Sequence, residues 1–163
     1  MRRRQLFVTV SVLVCVALAF VFTGCEESDS TLIDDADLTV EYLTGEYADQ
    51  LTADGAETIL GTITLDNVDG VYTLNVVEKE VVPSDEYDEG YYIAETNVVK
   101  QLGVGGYAKF VYANGEQDDA IGNVEDFDNQ GTDDPDALYT IYYMNDKAEL
   151  VLQVKPEDAA NAF

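Results

Sequence analysis

Two groups of residues in this 163-residue chain could do chemistry. The first is acidic and lies between Asp118 and Asp136. Asp126, Asp128 and Gln130 occupy alternate positions, Gly131 follows at once, and Asp134 extends the run. Alternate oxygen donors around a glycine turn suit a calcium ion, which takes roughly six to eight oxygen ligands. In so acidic a chain the same residues also make an ordinary solvated loop. The second group is the Cys25 thiol and what precedes it. Arg2, Arg3 and Arg4 open the chain, an apolar run extends from Leu6 to Phe22, and Thr23-Gly24 leads into Cys25. A basic start, an apolar middle and small residues before a cysteine read as an export signal ending in a lipidation site. The arginines stay on the cytoplasmic side while the apolar segment enters the membrane.

Phe22-Thr23-Gly24-Cys25 resembles the lipobox of bacterial lipoproteins: an aliphatic residue, a small residue, Gly or Ala, then Cys. Phe22 stands where the family has an aliphatic side chain. The resemblance covers residues 1–25 alone. It implies that Cys25 is thioether-linked to diacylglycerol and that residues 1–24 are removed as a signal peptide. A membrane, reached through the lipid, is then an expected partner, with the domain facing outside the cytoplasm. The competing reading is an uncleaved anchor, since a spanning helix needs about 20 apolar residues. The acidic run resembles the calcium loops of EF-hands, with Asp126, Asp128 and Gly131 at the first, third and sixth places. Ala137 stands at the twelfth place instead of the bidentate glutamate, and Asp134 could compensate as in thrombospondin-type loops.

Composition narrows the functions further. Cys15 sits inside the apolar run as a small hydrophobe, so removal of the signal leaves a domain without a disulfide. All three arginines precede Cys25 and all 33 acidic residues follow it. Lys79, Lys100, Lys109, Lys147 and Lys155 are the remaining cations, a side-chain balance of −28. Nucleic acid is excluded as a partner, because nothing basic is present to displace counterions from phosphate. Attraction to anionic lipid is excluded likewise, which leaves the acyl group to hold the protein. There is no histidine. A Ser-His-Asp or Cys-His hydrolase is therefore ruled out, and zinc loses its commonest ligand. Paired carboxylates could hydrolyse a glycoside, but no pair stands out and no tryptophan offers a sugar platform. The expectation is a protein that is not an enzyme.

The elements that must position these residues are mostly strands. Residues 25–37 read as a lipidated, acidic, flexible tether, and residues 38–156 as a single β domain with a short tail, 157–163. Alternation with period two marks strands half-buried in a sheet. Ile59, Ile63 and Leu65 share a face; so do Tyr72, Leu74 and Val76, and so do Ala108, Phe110 and Tyr112. Ala148, Leu150, Leu152 and Val154 oppose Glu149, Val151 and Gln153. Thr39–Tyr47 and Tyr91–Val99 are further predicted strands. Asp66 to Gly70 and Asn145-Asp146 read as hairpin turns. Gly103-Val104-Gly105-Gly106 reads as a break, and Pro83–Gly90 as a mobile acidic loop. Asp49–Glu57 and Pro156–Phe163 could each form a turn or two of helix.

The fold expected is mostly β: an antiparallel meander forming a small barrel or a two-sheet sandwich, behind an N-terminal signal helix. Gly45-Glu46-Tyr47 resembles the Gly-x-Trp of lipocalins, with Tyr47 in place of tryptophan, and implies a barrel. Adjacent tyrosines of a strand face opposite sides, so Tyr142 and Tyr143 are not expected to share the core. The function expected is a lipid-anchored envelope module that binds or interacts without catalysis. The alternatives are a lipocalin-like carrier of a small apolar ligand and a calcium-dependent adhesion or structural module. Beyond the membrane, the expected partner is a protein or a small apolar ligand.

Overall fold

The structure, a computed structural model, describes residues 38–114, 119–131 and 134–162. The signal, Cys25 and the tether lie outside the described residues. Among the described residues no helix is long and apolar enough to cross a membrane.

The chain enters through a helical segment, α1, over residues 40–53 rather than the strand predicted for Thr39–Tyr47. Thr39 caps it, its side chain accepting from the Tyr42 N–H at 3.1 Å. Leu43, Ala48 and Leu51 are its buried residues. A five-residue step from Leu43 to Ala48 would leave one face of a regular α-helix. The wider π turn over Leu43–Tyr47 absorbs the extra residue and keeps all three on one face. The segment ends in a Schellman motif: Ala56 N–H donates to Leu51 C=O, Gly55 N–H donates to Thr52 C=O, and Gly55 takes a φ of 94°. Gly45-Glu46-Tyr47 lies in this π turn, so its likeness to a lipocalin strand does not hold.

Six strands follow: β1 (Glu57–Val68), β2 (Val71–Pro83), β3 (Tyr91–Tyr112), β4 (Ala120–Gly122), β5 (Leu138–Met144) and β6 (Lys147–Val154). A short helix, α2 (Val124–Gln130), separates β4 from β5, and α3 (Pro156–Ala162) closes the described chain. The Asn145-Asp146 turn is as the sequence suggests, but the first hairpin is tighter than the Asp66–Gly70 turn expected: β1 stays paired as far as Val68 opposite Val71. Asp69 and Gly70 have φ of 53° and 81°, and Asn145 and Asp146 have 51° and 59°. Positive φ at both loop residues is the mirror-image turn whose twist suits a two-residue hairpin.

The sheet runs β2-β1-β5-β6-β3-β4, and β2 also pairs with β3. Five strands thus close a ring of hydrogen bonds. It is not a clean barrel, because β3 is shared between unlike neighbours. Its first part pairs antiparallel with β2, as far as Gly103 opposite Thr73. Its last part pairs parallel with β6, Phe110 lying opposite Val151. The expected antiparallel meander is corrected to a mixed sheet. Nor does the glycine run break the chain: Gly103–Gly106 lies inside the 22-residue β3, at the handover between partners.

Two apolar clusters hold these strands. The inner one includes Ile59, Leu74, Val76, Leu102, Phe110, Tyr139, Ile141 and Val151. The outer one joins Leu43, Ala48 and Leu51 of α1 to Val111, Leu150 and Leu152 on the other sheet face. Each leucine so buried contributes roughly 1.5–3 kcal/mol. Tyr143 is buried in the inner cluster, while Tyr142 faces the other way and is half-buried against the outer one, as alternation implies. Ala148 departs from the sequence reading. The register steps from Tyr142 opposite Leu150 to Tyr143 opposite Ala148, leaving Glu149 as a bulge. Ala148 therefore joins Val151 inside while Leu150 and Leu152 stay outside. Burial holds the Glu149 carboxyl above its ordinary value, against the pull of Lys147.

Gly61 sits where β1 meets both β2 and β5, opposite Glu78 and Tyr139. A Cβ there would lie 2.6 Å from the Val77 carbonyl oxygen and 2.7 Å from Val76 Cγ1. Gly61→Ala is therefore expected to cost about 1–3 kcal/mol, read as a lower urea midpoint at unchanged slope.

Candidate functional site

The acidic run does not form a loop of alternating ligands. Asp126, Asp128 and Gln130 lie on α2, and Asp134 follows it. On a helix, residues two apart point in nearly opposite directions. The Asp126 carboxylate is engaged in a capping box, accepting from Asn123 N–H at 3.1 Å. Asn123 Oδ1 in turn accepts from the N–H groups of Glu125 and Asp126 at 2.8 and 3.0 Å. Asp134 accepts from Asp136 N–H at 3.0 Å. Among the described residues no three His, Cys, Asp or Glu side chains form a group that could hold a metal ion. The sequence signal for this helix is Asn123-x-x-Asp126 just before Phe127, whose half-buried side chain packs against the inner cluster. Its ring centroid is 4.9 Å from that of Phe110, 5.3 Å from Tyr112 and 5.9 Å from Tyr139.

The tyrosines divide between core and surface. Burial, with the Asp134 carboxylate nearby, pushes the Tyr139 phenol up to about 12. Tyr143 donates to Glu57 Oε2 at 2.7 Å, and Lys100 Nζ lies 3.8 Å above its ring. These are contacts within the fold. Tyr87 and Tyr92 stack with centroids 5.3 Å apart beside the Pro83–Gly90 turn and remain exposed. Behind them Lys79 and Glu95, directly opposite in register, form an ion pair at 2.5 Å.

A groove of about 460 Å³ lies open at the surface. It is lined by Gly70 of the β1–β2 turn, the start of β2 (Val71, Tyr72), the glycine run of β3 (Val104, Gly105, Gly106) and the start of α2 (Asn123, Val124, Glu125). These elements meet because β3 changes partner there. β2 leaves β3 at Gly103, and β4 joins it only at Phe110, opposite Gly122. Gly122 then lets α2 approach: a Cβ on it would lie 2.7 Å from Asp126 Cβ and 3.2 Å from the Tyr112 hydroxyl. Loss of water, then the carboxylates of Asp128 and Glu125, holds the Tyr72 phenol above its ordinary value. The groove presents apolar side chains, bare backbone and negative charge. Residue types and spacing single out none of its lining residues for chemistry; the glycine run alone hints at it, as a break.

No family model, curated protein or solved structure matches this chain. The site is therefore read from its own geometry.

With Asp126 engaged in helix capping and its neighbours fanned around α2, calcium is expected to leave the protein's melting temperature unchanged. Thermal unfolding in millimolar calcium and in chelator checks this; an upward shift with calcium would restore the cation site.

Proposed function

We propose that this chain is an exported lipoprotein, held to a membrane through Cys25, whose acidic β domain is a non-catalytic binding module outside the cytoplasm. The anchor rests on the residues before Cys25, and the binding role on where the domain has room. Leu74, Val76, Leu102, Phe110, Ile141 and Val151 have no exposed surface. A water-sized void beside them would expose them, so the interior of the strand ring is filled. A lipocalin-like carrier needs an enclosed apolar cavity of a few hundred Å³ or more. The filled interior therefore favours recognition on the outside, and the open groove at the β3 handover is the surface suited to it.

The charge fits this reading. With 33 acidic residues after Cys25, in tether and domain together, the exported part is repelled by anionic lipid and stays clear of the surface that tethers it. Replacement of Cys25 by alanine is expected to move the protein from the membrane fraction to the soluble fraction. Retention of Cys25→Ala in the membrane would overturn the lipid anchor in favour of an uncleaved apolar helix.

A further inference from the structure

We propose that Tyr87 and Tyr92 are a site of oxidative modification, at which a peroxide-driven one-electron oxidant joins the two rings as dityrosine. This goes beyond the binding-module reading and does not involve the groove. The two rings stack with centroids 5.3 Å apart and planes 29° from parallel. Tyr87 is 50% exposed and Tyr92 38% exposed, so an oxidant reaches both. Hydrogen bonds fix the turn that carries Tyr87: its C=O accepts from Gly90 N–H at 2.9 Å, and Gly90 C=O accepts from Ser84 N–H at 2.9 Å. Gly90 allows this closure at a φ of 81°. Tyr92 is fixed by its place on β3, opposite Val82 of β2.

Composition directs oxidation to tyrosine. The chain has no tryptophan, and neither cysteine lies in the β domain. Its one methionine after Cys25, Met144, is half-buried against the outer cluster. Eleven tyrosines remain, all among the described residues. Geometry sets one pair apart. Tyr42 and Tyr47 also stack, at 6.1 Å, but are half-buried against the outer cluster. Burial, then the Glu149 carboxylate, holds the Tyr47 phenol above its ordinary value, which opposes loss of its proton. Tyr91 and Tyr92 are consecutive on a strand and face opposite sides. Tyr107 is 80% exposed, but no tyrosine stacks on it among the described residues.

The chemistry balances with hydrogen peroxide as the oxidant. Each phenol gives up one electron and one proton and becomes a tyrosyl radical. The two radicals couple through the ring carbons ortho to their hydroxyls, forming one C–C bond. The hydrogen on each of those carbons then moves to its own phenol oxygen, and both rings regain aromaticity. Two hydrogen atoms leave in all, and one hydrogen peroxide takes them up as two waters. Groups already held together couple in a unimolecular step, without the entropy cost of an encounter. Two copies of so acidic a chain repel each other, which disfavours coupling between molecules. The product pins the end of the β2–β3 hairpin.

The test treats the full chain, in detergent micelles, with a peroxidase and hydrogen peroxide. The expected product is a monomer lighter by two hydrogen atoms, with the blue fluorescence of dityrosine. Its yield is expected to hold on about tenfold dilution, as a unimolecular coupling requires. Cleavage after glutamate is expected to release residues 87–89 joined to residues 90–95, with fragmentation placing the link on Tyr92. Tyr87→Phe and Tyr92→Phe keep a ring in the stack, and each is expected to abolish the product. Tyr107→Phe is expected to leave it unchanged. A link at any other pair, a dimer as the main product, or dityrosine that survives Tyr87→Phe overturns the inference. So does oxidation that leaves Tyr87 and Tyr92 unlinked. The absence of any product, while free tyrosine couples in a parallel tube, overturns it as well.

Discussion

The fold depends on one strand serving two partners. β3 is long enough, at 22 residues, to lie along β2 and then along β6. Ring closure needs both pairings, since β2 and β6 are otherwise linked only through β1 and β5. Antiparallel and parallel ladders place their hydrogen bonds differently, so a strand cannot pass from one to the other without local adjustment. Gly103, Gly105 and Gly106 supply that adjustment. The backbone arches there between Val104 and Lys109, in open surroundings: an added Cβ would meet nothing closer than 3.8 Å at any of the three. The arch and the groove are one feature: closing the ring by handover leaves part of β3 uncovered.

A second constraint follows from the absence of disulfides in the described domain. Stability must come from buried apolar surface, and a single-sided sheet of this size offers little. The domain uses both faces. The inner cluster fills the ring, and α1 closes the outer face of β3, β5 and β6. The π turn and the Glu149 bulge are local departures from regular geometry that bring residues of the wrong period onto the right face. Polar contacts occupy the exposed faces: Gln101 donates to Asn75 and Asn75 donates to Asp66, each at 2.8 Å, across β3, β2 and β1.

Much of this is legible in the residues. Alternation locates the inner faces of β1, β2 and late β3, and Asp66–Gly70 and Asn145-Asp146 locate two hairpins, the first of them too broadly. What fails does so for physical reasons. Val40, Leu43 and Tyr47 look like a strand because the five-residue step to Ala48 hides helical spacing. Ala148 falls on the wrong face because a bulge is invisible to a period-two count. The parallel β3–β6 pairing joins residues about 40 positions apart, and no local pattern encodes it. At the acidic run, aspartate spacing suggests a cation, whereas Asn123 and Asp126 cap a helix. The groove escapes notice because its parts are unremarkable separately: one turn residue, a strand start, a glycine run and a helix start.

The handover of β3 is tested most directly by interstrand nuclear Overhauser contacts between backbone protons of the free protein. The account requires Leu102 to contact Leu74 of β2 while Phe110 contacts Val151 of β6, with the parallel pattern. Contacts from Val104–Ala108 to β2 or β4 should be missing. A continuous antiparallel ladder from β3 to β2 past Gly106, or an antiparallel β3–β6 pattern, would contradict it.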